Sequence, residues 1–342
     1  MSFKPVYKLL NWIPENKLNL INLSKNENAV HILEKNASRI CWSIWLYMNP
    51  NAVHIVEQHL KDLKELTDIN RLDDIYWDEL SANPNAVHIM AKYFDRINWV
   101  SLSSNENAIS ILEKNLDKVN WEVLSKNRNA IDILEKNLDK VFWWNLCQNN
   151  NPRAMPILER HLHKIEWSTL SRNKNAISII EKHLDKVCWQ NLSANPNAVH
   201  LLEKNTDKID WTYICENTNP RVHHIIESNL DKIDWAYLSE NPTAIPILEK
   251  HMANIDWYWL SANPNAIHLL ENNFKKIDWK RFARNPSIFV LDREAMRKQI
   301  DNGFAEELIA KALHPKHFER NLELYNYNIA TDEYMDWDLY KY

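Results

Sequence analysis

Histidine is the side chain whose placement first suggests chemistry. His31, His54, His88, His200, His224 and His268 recur at one position of a repeated pattern, and imidazole serves both as a zinc ligand and as a general base near neutral pH. A metal centre needs its ligands within a few ångströms of one ion. Copies of a repeated helix pack about 8–10 Å apart, so one His per copy does not share an ion with the next. Ser110, Asp132 and Pro156 stand at the same position in other copies. The column therefore reads as a solvated surface position. His161 and His163 lie two apart on a helix and point apart, with no HExxH or CxxC beside them. Cys41 and Cys188 precede a Trp, and Cys147 and Cys215 replace the small Ser of an LSxN segment. These four thiols read as buried packing residues in a reducing compartment.

Other catalytic patterns are missing. The 342 residues contain one glycine, Gly303, too few for a phosphate-cradling loop or a GxSxG elbow. The acidic pairs Asp73-Asp74 and Asp336-Asp338 lack a partner base or nucleophile. The expectation is a non-enzymatic chain with no cofactor, metal or small-molecule substrate. Net charge is −5, and the Lys columns are offset by Glu and Asp, as in Glu113-Lys114 and Glu135-Lys136. No basic stripe for nucleic acid results, only a solvated face. No apolar run approaches the roughly 20 residues of a membrane span. The N-terminal MSFKPVYKLLNW is too short and polar for a signal peptide, so a secreted protein is not expected.

What positions these residues is a repeat. CWQNLSANPNAVHLLEKNTDKIDW, from Cys188 to Trp211, is nearly copied after Trp99, Trp121, Trp143, Trp167, Trp211, Trp235 and Trp257. The Trp period is 22 residues, rising to 24 from Trp143 to Trp167 and from Trp211 to Trp235. Both longer copies carry their two extra residues at one place, Gln148-Asn149-Asn150-Asn151-Pro152 and Glu216-Asn217-Thr218-Asn219-Pro220. A fixed period of this size marks a repeat architecture, and a matched insertion marks a loop. In each copy, the stretch equivalent to Asn197–Lys208 reads as one amphipathic helix, with Ala198, Leu201, Leu202 and Ile209 on its apolar stripe. Asn195-Pro196 signals its start. The stretch 210–216, with Trp211 and Ile214 on one side, reads as a short α- or 3₁₀-helix.

A second column holds Asn26, Asn49, Asn83, Asn105, Asn127, Asn149, Asn173, Asn195, Asn217, Asn241, Asn263 and Asn285. In a chain almost without glycine, Asn is the next residue to tolerate φ > 0. Each is expected to end the short helix and cap the long one; an Asn stack bonding between copies is the alternative. One unit does not bury its own apolar side, but stacked units do. Ten Trp residues in register, each worth roughly 2–3 kcal/mol when buried, are expected to form the core's spine. The fold class is all-α: an α-solenoid of about twelve 22–24-residue two-helix repeats with helical end caps.

In chain order, residues 1–20 form an N-terminal cap whose Leu9, Leu10, Trp12, Ile13 and Leu18 cover the open end of the stack. Residues 21–292 are the repeat solenoid. Its second repeat, 43–77, is lengthened by KDLKELTDINRLDDIYW into a longer helix and a protruding turn, and the twelfth, KRFARNPSIFVLD, dissolves. Residues 293–318 read as a C-terminal cap of two helices, stopped by Gly303 and Pro315. Residues 319–342 are an acidic, aromatic tail. Either Tyr325, Tyr327, Trp337 and Tyr340 pack back on the cap, or the tail is a peptide offered to a partner.

Units of the form LSxNPNAIxLLExNxDKIxW, as in Leu260 to Trp279, resemble the tandem-repeat proteins of nucleocytoplasmic large DNA viruses, the giant viruses. The segment NGFAEELIAKALHPKHFERNLELYNYNI is similar to the end module of those proteins. The likeness covers roughly residues 20–330. It implies a viral protein acting in the host cytoplasm or packaged in the virion, and it carries no catalytic residue to this chain.

Constant columns are core and caps; columns that vary face outward, and repeat proteins bind through such a face. The two positions after each repeat Trp vary most, and Trp144, Tyr213, Tyr237, Tyr258 and Trp259 place aromatics there. Exposed Tyr and Trp are typical interface anchors; ordinary packing between neighbours is the competing reading. In the tail, Tyr334, Leu339 and Tyr340 have the spacing Y-x-x-x-x-L-Φ, which resembles the helical peptide that docks on cap-binding translation factors. The expected function is a protein–protein interaction scaffold. A structural component of the virus particle and a translation-factor adaptor are the alternatives.

Overall fold

The computed structural model describes residues 5–36, 42–65 and 69–299, and the strand pairs 327–328 and 333–334. It divides into two compact units, one of Met1–Lys8 with Val290–Tyr342 and the other of Leu9–Phe289. The structure is mostly helical, and neighbouring short helices touch in register along the chain: Trp77–Ala82 with Trp99–Ser104, that helix with Trp121–Lys126, and so on. Among the described residues no helix is long and apolar enough to cross a membrane.

The unit beginning at Trp99 shows how one copy folds. Asn98 Oδ1 accepts from Ser101 N at 3.0 Å and starts the helix Trp99–Ser104. Asn120, Glu166, Asp210, Asp234, Asp256 and Asp278 cap the equivalent turn in other units. The second helix is short as well. In the unit beginning at Trp189 it spans Val199–Lys204, followed by a separate 3₁₀ turn, Thr206–Lys208, where one continuous helix was expected. The break has a local cause. Asn205 Nδ2 donates to Leu201 O at 2.9 Å, so the side chain takes the carbonyl that the next turn of helix would use. Asn36, Asn115, Asn137, Asn229 and Asn273 make the same contact four residues back. Helices of this length are unstable alone, so packing between units must hold them.

The asparagine column supplies much of that cohesion, by a different route from the one expected. Asn105, Asn127, Asn173, Asn217 and Asn241 have φ between −66° and −75°, ordinary extended backbone, so tolerance of positive φ does not explain them. Each side chain does two jobs at once. Asn173 Oδ1 accepts from Asn175 N at 3.0 Å, capping the following turn. Its Nδ2 donates to Cys147 O at 2.8 Å and Asn149 O at 3.0 Å in the preceding unit. Capping and inter-unit stacking, posed as alternatives, are both present. A second amide column two residues on, absent from the sequence reading, repeats the device on the surface: Asn107 Nδ2 donates to Pro84 O, Asn129 to Glu106 O and Asn197 to Lys174 O. Ser103 adds a third link, donating to Trp99 O at 2.7 Å while accepting from Asn120 N at 3.1 Å.

The core spine is aliphatic. Leu102, Leu124, Leu170, Leu192, Leu238 and Leu260 are wholly buried, as are Ala108, Ala130, Ala176 and Ala198 between them. The repeat Trp residues are only half-buried, which corrects the expectation of an indole spine. Most stand at the first residue of a short helix, as Trp99, Trp121 and Trp189 do, at the rim of the core with one face packed. In several units the other face lies under the ammonium of a Lys from the same unit: Lys118 over Trp99, Lys140 over Trp121, Lys208 over Trp189 and Lys276 over Trp257, at 5.1, 4.9, 4.8 and 4.3 Å from the ring centre. Such contacts are worth about 0.5–1 kcal/mol each at exposed sites. The Lys three residues before the next Trp, as in Lys118 and Lys140, is therefore partly a lid on an indole.

Within the unit Leu9–Phe289, the first repeat meets the last. Asn26 Nδ2 donates to Asn285 O at 2.8 Å and Ala283 O at 3.2 Å, and Asn28 Nδ2 donates to Pro286 O at 3.1 Å. Leu10 N donates to Ile288 O at 3.0 Å, and Arg284 Nη2 donates to Asn22 Oδ1 at 2.9 Å. Trp12 packs on Phe282, ring centres 5.7 Å apart. The first unit thus stands to the twelfth as any unit stands to its predecessor, and the asparagine ladder closes on itself. Leu9 to Leu18 were expected to shield an open end; closure leaves no such end, and Ile13 and Leu18 are buried at the join.

The departures from the pattern fall outside the ladder. The two-residue insertions follow Asn149 and Asn217, whose amide bonds are unchanged. The lengthened second repeat forms the helix Val53–Glu65 and a 3₁₀ turn Ile69–Asp74. The twelfth repeat ends in a strand, Phe289–Leu291, which forms a two-stranded sheet with Tyr7–Leu9. In the other compact unit, Asp292 N donates to Val6 O at 2.8 Å and Asp292 Oδ1 caps the helix Arg293–Gln299. Its strands Tyr327–Asn328 and Glu333–Tyr334 pair antiparallel. The second cap helix expected before Pro315 lies outside the described residues.

Asn173→Asp separates the two jobs of the ladder residue. Aspartate caps helices as well as asparagine does, but it has no amide to donate to two buried carbonyls. Urea unfolding should show Asn173→Asp at least as destabilised as Asn173→Ala, by about 2–4 kcal/mol for two buried carbonyls left unpaired. A neutral Asn173→Asp would reduce the column to capping alone.

Candidate protein-binding face

The short helix has two sides. Its fourth residue, Leu102 or Leu124, points into the core, so the second, third and sixth residues face away. This side is the inside of a bend. Arg172 pairs with Glu216 across the whole intervening unit, and Arg281 Nη1 lies 3.6 Å from Glu240 Oε1 across another. Side chains two units apart meet only where the stack is concave.

The structure places the five aromatic candidates on this side in unequal states. Trp144, Tyr258 and Tyr237 are 54%, 52% and 42% exposed. Tyr213 and Trp259 are half-buried. Trp259 lies under the Arg281 guanidinium at 3.8 Å and edge-on to Tyr258, while Arg172 lies over Tyr213 at 5.7 Å. The sequence reading overlooked Trp45, which sits under the Lys25 ammonium. It also overlooked the sixth-residue column: Lys126, Gln148, Arg172, Ala194, Glu216 and Glu240 each precede a ladder asparagine. That adjacency was the available signal, since a position fixed next to an invariant core residue yet free in type must look outward. Two grooves open there. One of about 440 Å³ is lined by Lys126, Trp144, Gln148, Asn150, Thr169 and Arg172 among others, and one of about 300 Å³ by Glu216, Tyr237, Glu240, Asn241 and Pro242.

The histidine column lies on the opposite, second-helix side. His54, His88, His200 and His268 each place Nε2 on a Glu carboxylate of the preceding unit, at 2.6, 3.0, 2.7 and 2.8 Å. All are exposed pairs, of the kind worth little individually. Lys182 on Glu159 and Lys250 on Glu227 fill the same role in other units. Among the described residues no three His, Cys, Asp or Glu side chains are grouped to hold a metal. Burial raises the Cys147 thiol to about 11 and the Cys215 thiol to about 12, so both are poor nucleophiles near neutral pH. Cys215 Sγ donates to Trp211 O, as the Ser of other units does. Cys188 is half-buried rather than buried, and Cys41 lies outside the described residues. Of the tail motif, Tyr334 pairs through its backbone with Tyr327; Leu339 and Tyr340 lie outside the described residues.

Two imidazoles titrate against folding. His223 stands where other units carry Val199 or Ile177, and its buried Nε2 has no hydrogen-bond partner among the described residues. Burial holds its pKa below the ordinary 6.5, outweighing nearby Glu227, with Lys250 adding to the depression. Burial does the same to His31, aided by Lys35. For a depressed imidazole the unfolded chain takes the proton first. This contribution to stability is complete above about pH 6.5 and is lost as pH falls through the depressed folded value. His223→Ile should therefore raise the thermal midpoint more at pH 5.5 than at pH 7.5; an equal rise at both would remove the imidazole from the acid response. Compared with known proteins, this chain matches no family model, no curated protein and no solved structure.

Proposed function

We propose that the repeats form a closed α-solenoid, a ring of twelve units, that works without catalysis as a scaffold for a protein partner. The observation that carries this reading is the exposure of Trp144, Tyr237 and Tyr258 on the concave, sequence-variable side of the short helices. Large aromatics exposed on a surface already rigid lose little freedom on binding, which is why they anchor interfaces. The second-helix side carries ion pairs between neighbours, Lys182 with Glu159, His200 with Glu181 and His268 with Glu249. The resemblance to giant-virus repeat proteins supports a viral setting, with a host or viral protein as the partner and the host cytoplasm or the virion as its place.

Affinity purification of the tagged full chain from infected cells tests this. The wild type should recover a partner in stoichiometric yield. Trp144→Ala, Tyr237→Ala and Tyr258→Ala combined should lower its recovery at least tenfold, since loss of one interface anchor costs about 2 kcal/mol or more. The unfolding midpoint should stay near that of the wild type, because none of the three rings is buried. Undiminished recovery would exclude this face.

A further inference from the structure

From Lys126 to Glu240 the charges of the sixth-residue column are sorted. Within that run Lys126 and Arg172 come first, and Glu216 and Glu240 follow, with Gln148 and Ala194 between; Lys25 and Arg284 of the same column lie outside it. The inner pair satisfies itself, since Arg172 and Glu216 form an ion pair across the Ala194 unit. The outer pair does not. Lys126 has no ion-pair partner among the described residues, and Glu240 keeps 48% of its side-chain surface open beside a loose 3.6 Å contact with Arg281. Each outer charge shares a groove with an exposed ring, Lys126 with Trp144 and Glu240 with Tyr237. The Arg172–Glu216 bridge is the partition between the grooves, one partner lining each.

We infer that this face receives an extended polypeptide segment bearing an acidic side chain toward one end and a basic one toward the other. The acidic side chain docks at Lys126 and Trp144, and the basic one at Glu240 and Tyr237. This deepens the scaffold reading and rests on it. A carboxylate meets an unpaired ammonium in the first groove. In the second, a cation finds the Glu240 carboxylate and the face of a tyrosine, a combination of ion pairing and cation–π attraction. A polyanion such as nucleic acid would meet repulsion at Glu240. A single small molecule would not bridge two grooves divided by a salt bridge. The span is five unit steps of roughly 8–10 Å, shortened by the concave curve, which about ten residues of extended chain can match.

The test is selection of random sixteen-residue peptides displayed on phage against the immobilised full chain. Binding of the enriched sequences is then measured by fluorescence anisotropy. Enriched peptides should carry an acid and a base about ten residues apart. Their affinity should fall at least tenfold with Lys126→Glu or Glu240→Lys, each checked for an unchanged unfolding midpoint. Reversing the peptide's acidic residue to lysine should restore binding to Lys126→Glu alone. Enriched peptides that bind both variants like the wild type would overturn this assignment and leave the scaffold standing. Failure to enrich any peptide, while the affinity purification still yields a partner, would also overturn it, because the partner would then be read as a folded surface. Failure of both experiments would remove the scaffold as well.

Discussion

Everything in the repeat domain depends on a buried primary amide that must satisfy two neighbours. Each ladder asparagine turns its oxygen toward its own chain and its nitrogen toward the unit before. Buried carbonyls without partners are costly, so the amide fixes the distance and the angle between successive units. Helices of four to seven residues, too short to persist alone, are held by that geometry and by the aliphatic columns on either side of it. Aspartate, glutamine or serine does not supply an acceptor and a two-hydrogen donor at this reach.

The repeat, its two helical halves and its loop insertions were legible in the sequence because Trp and Asn recur at a fixed period and the apolar residues keep helical spacing. Three things were not. The asparagine nitrogens donate to backbone carbonyls, and a carbonyl has no side-chain signature. The indoles looked like core because Trp is large and apolar, but a ring at the first residue of a short helix reaches only the rim, where the ammonium of Lys118 or Lys140 covers it. Closure depends on the turn per unit summed over twelve copies, and no single residue encodes a sum. The fragments Leu10, Asn22 and Trp12, which make the join, read as a cap because nothing in their types names the partner at Ile288, Arg284 and Phe282.

The candidate face was partly readable for a similar reason. Variation after each Trp identified an outward column, and Trp144, Tyr237 and Tyr258 are indeed exposed there. Tyr213 and Trp259 are covered by arginines from other units, which requires knowing how sharply the stack bends. That bend also brings Arg172 and Glu216 together over an entire repeat. Charge sorting along the concave side becomes visible only once those two are paired and set aside.

The join between Asn26 and Asn285 has a further consequence for how such a chain can change length. An open array gains or loses a copy with little penalty, because a new end resembles the old one. Here a thirteenth copy would find no place, and an eleventh-copy circle would have to bend every amide contact. Within this chain the copies differ in length after Asn149, after Asn217 and in the stretch 53–74. Tandem arrays can drift by duplication; a copy added to this one would strain the bonds that Asn26 makes to Ala283 and Asn285.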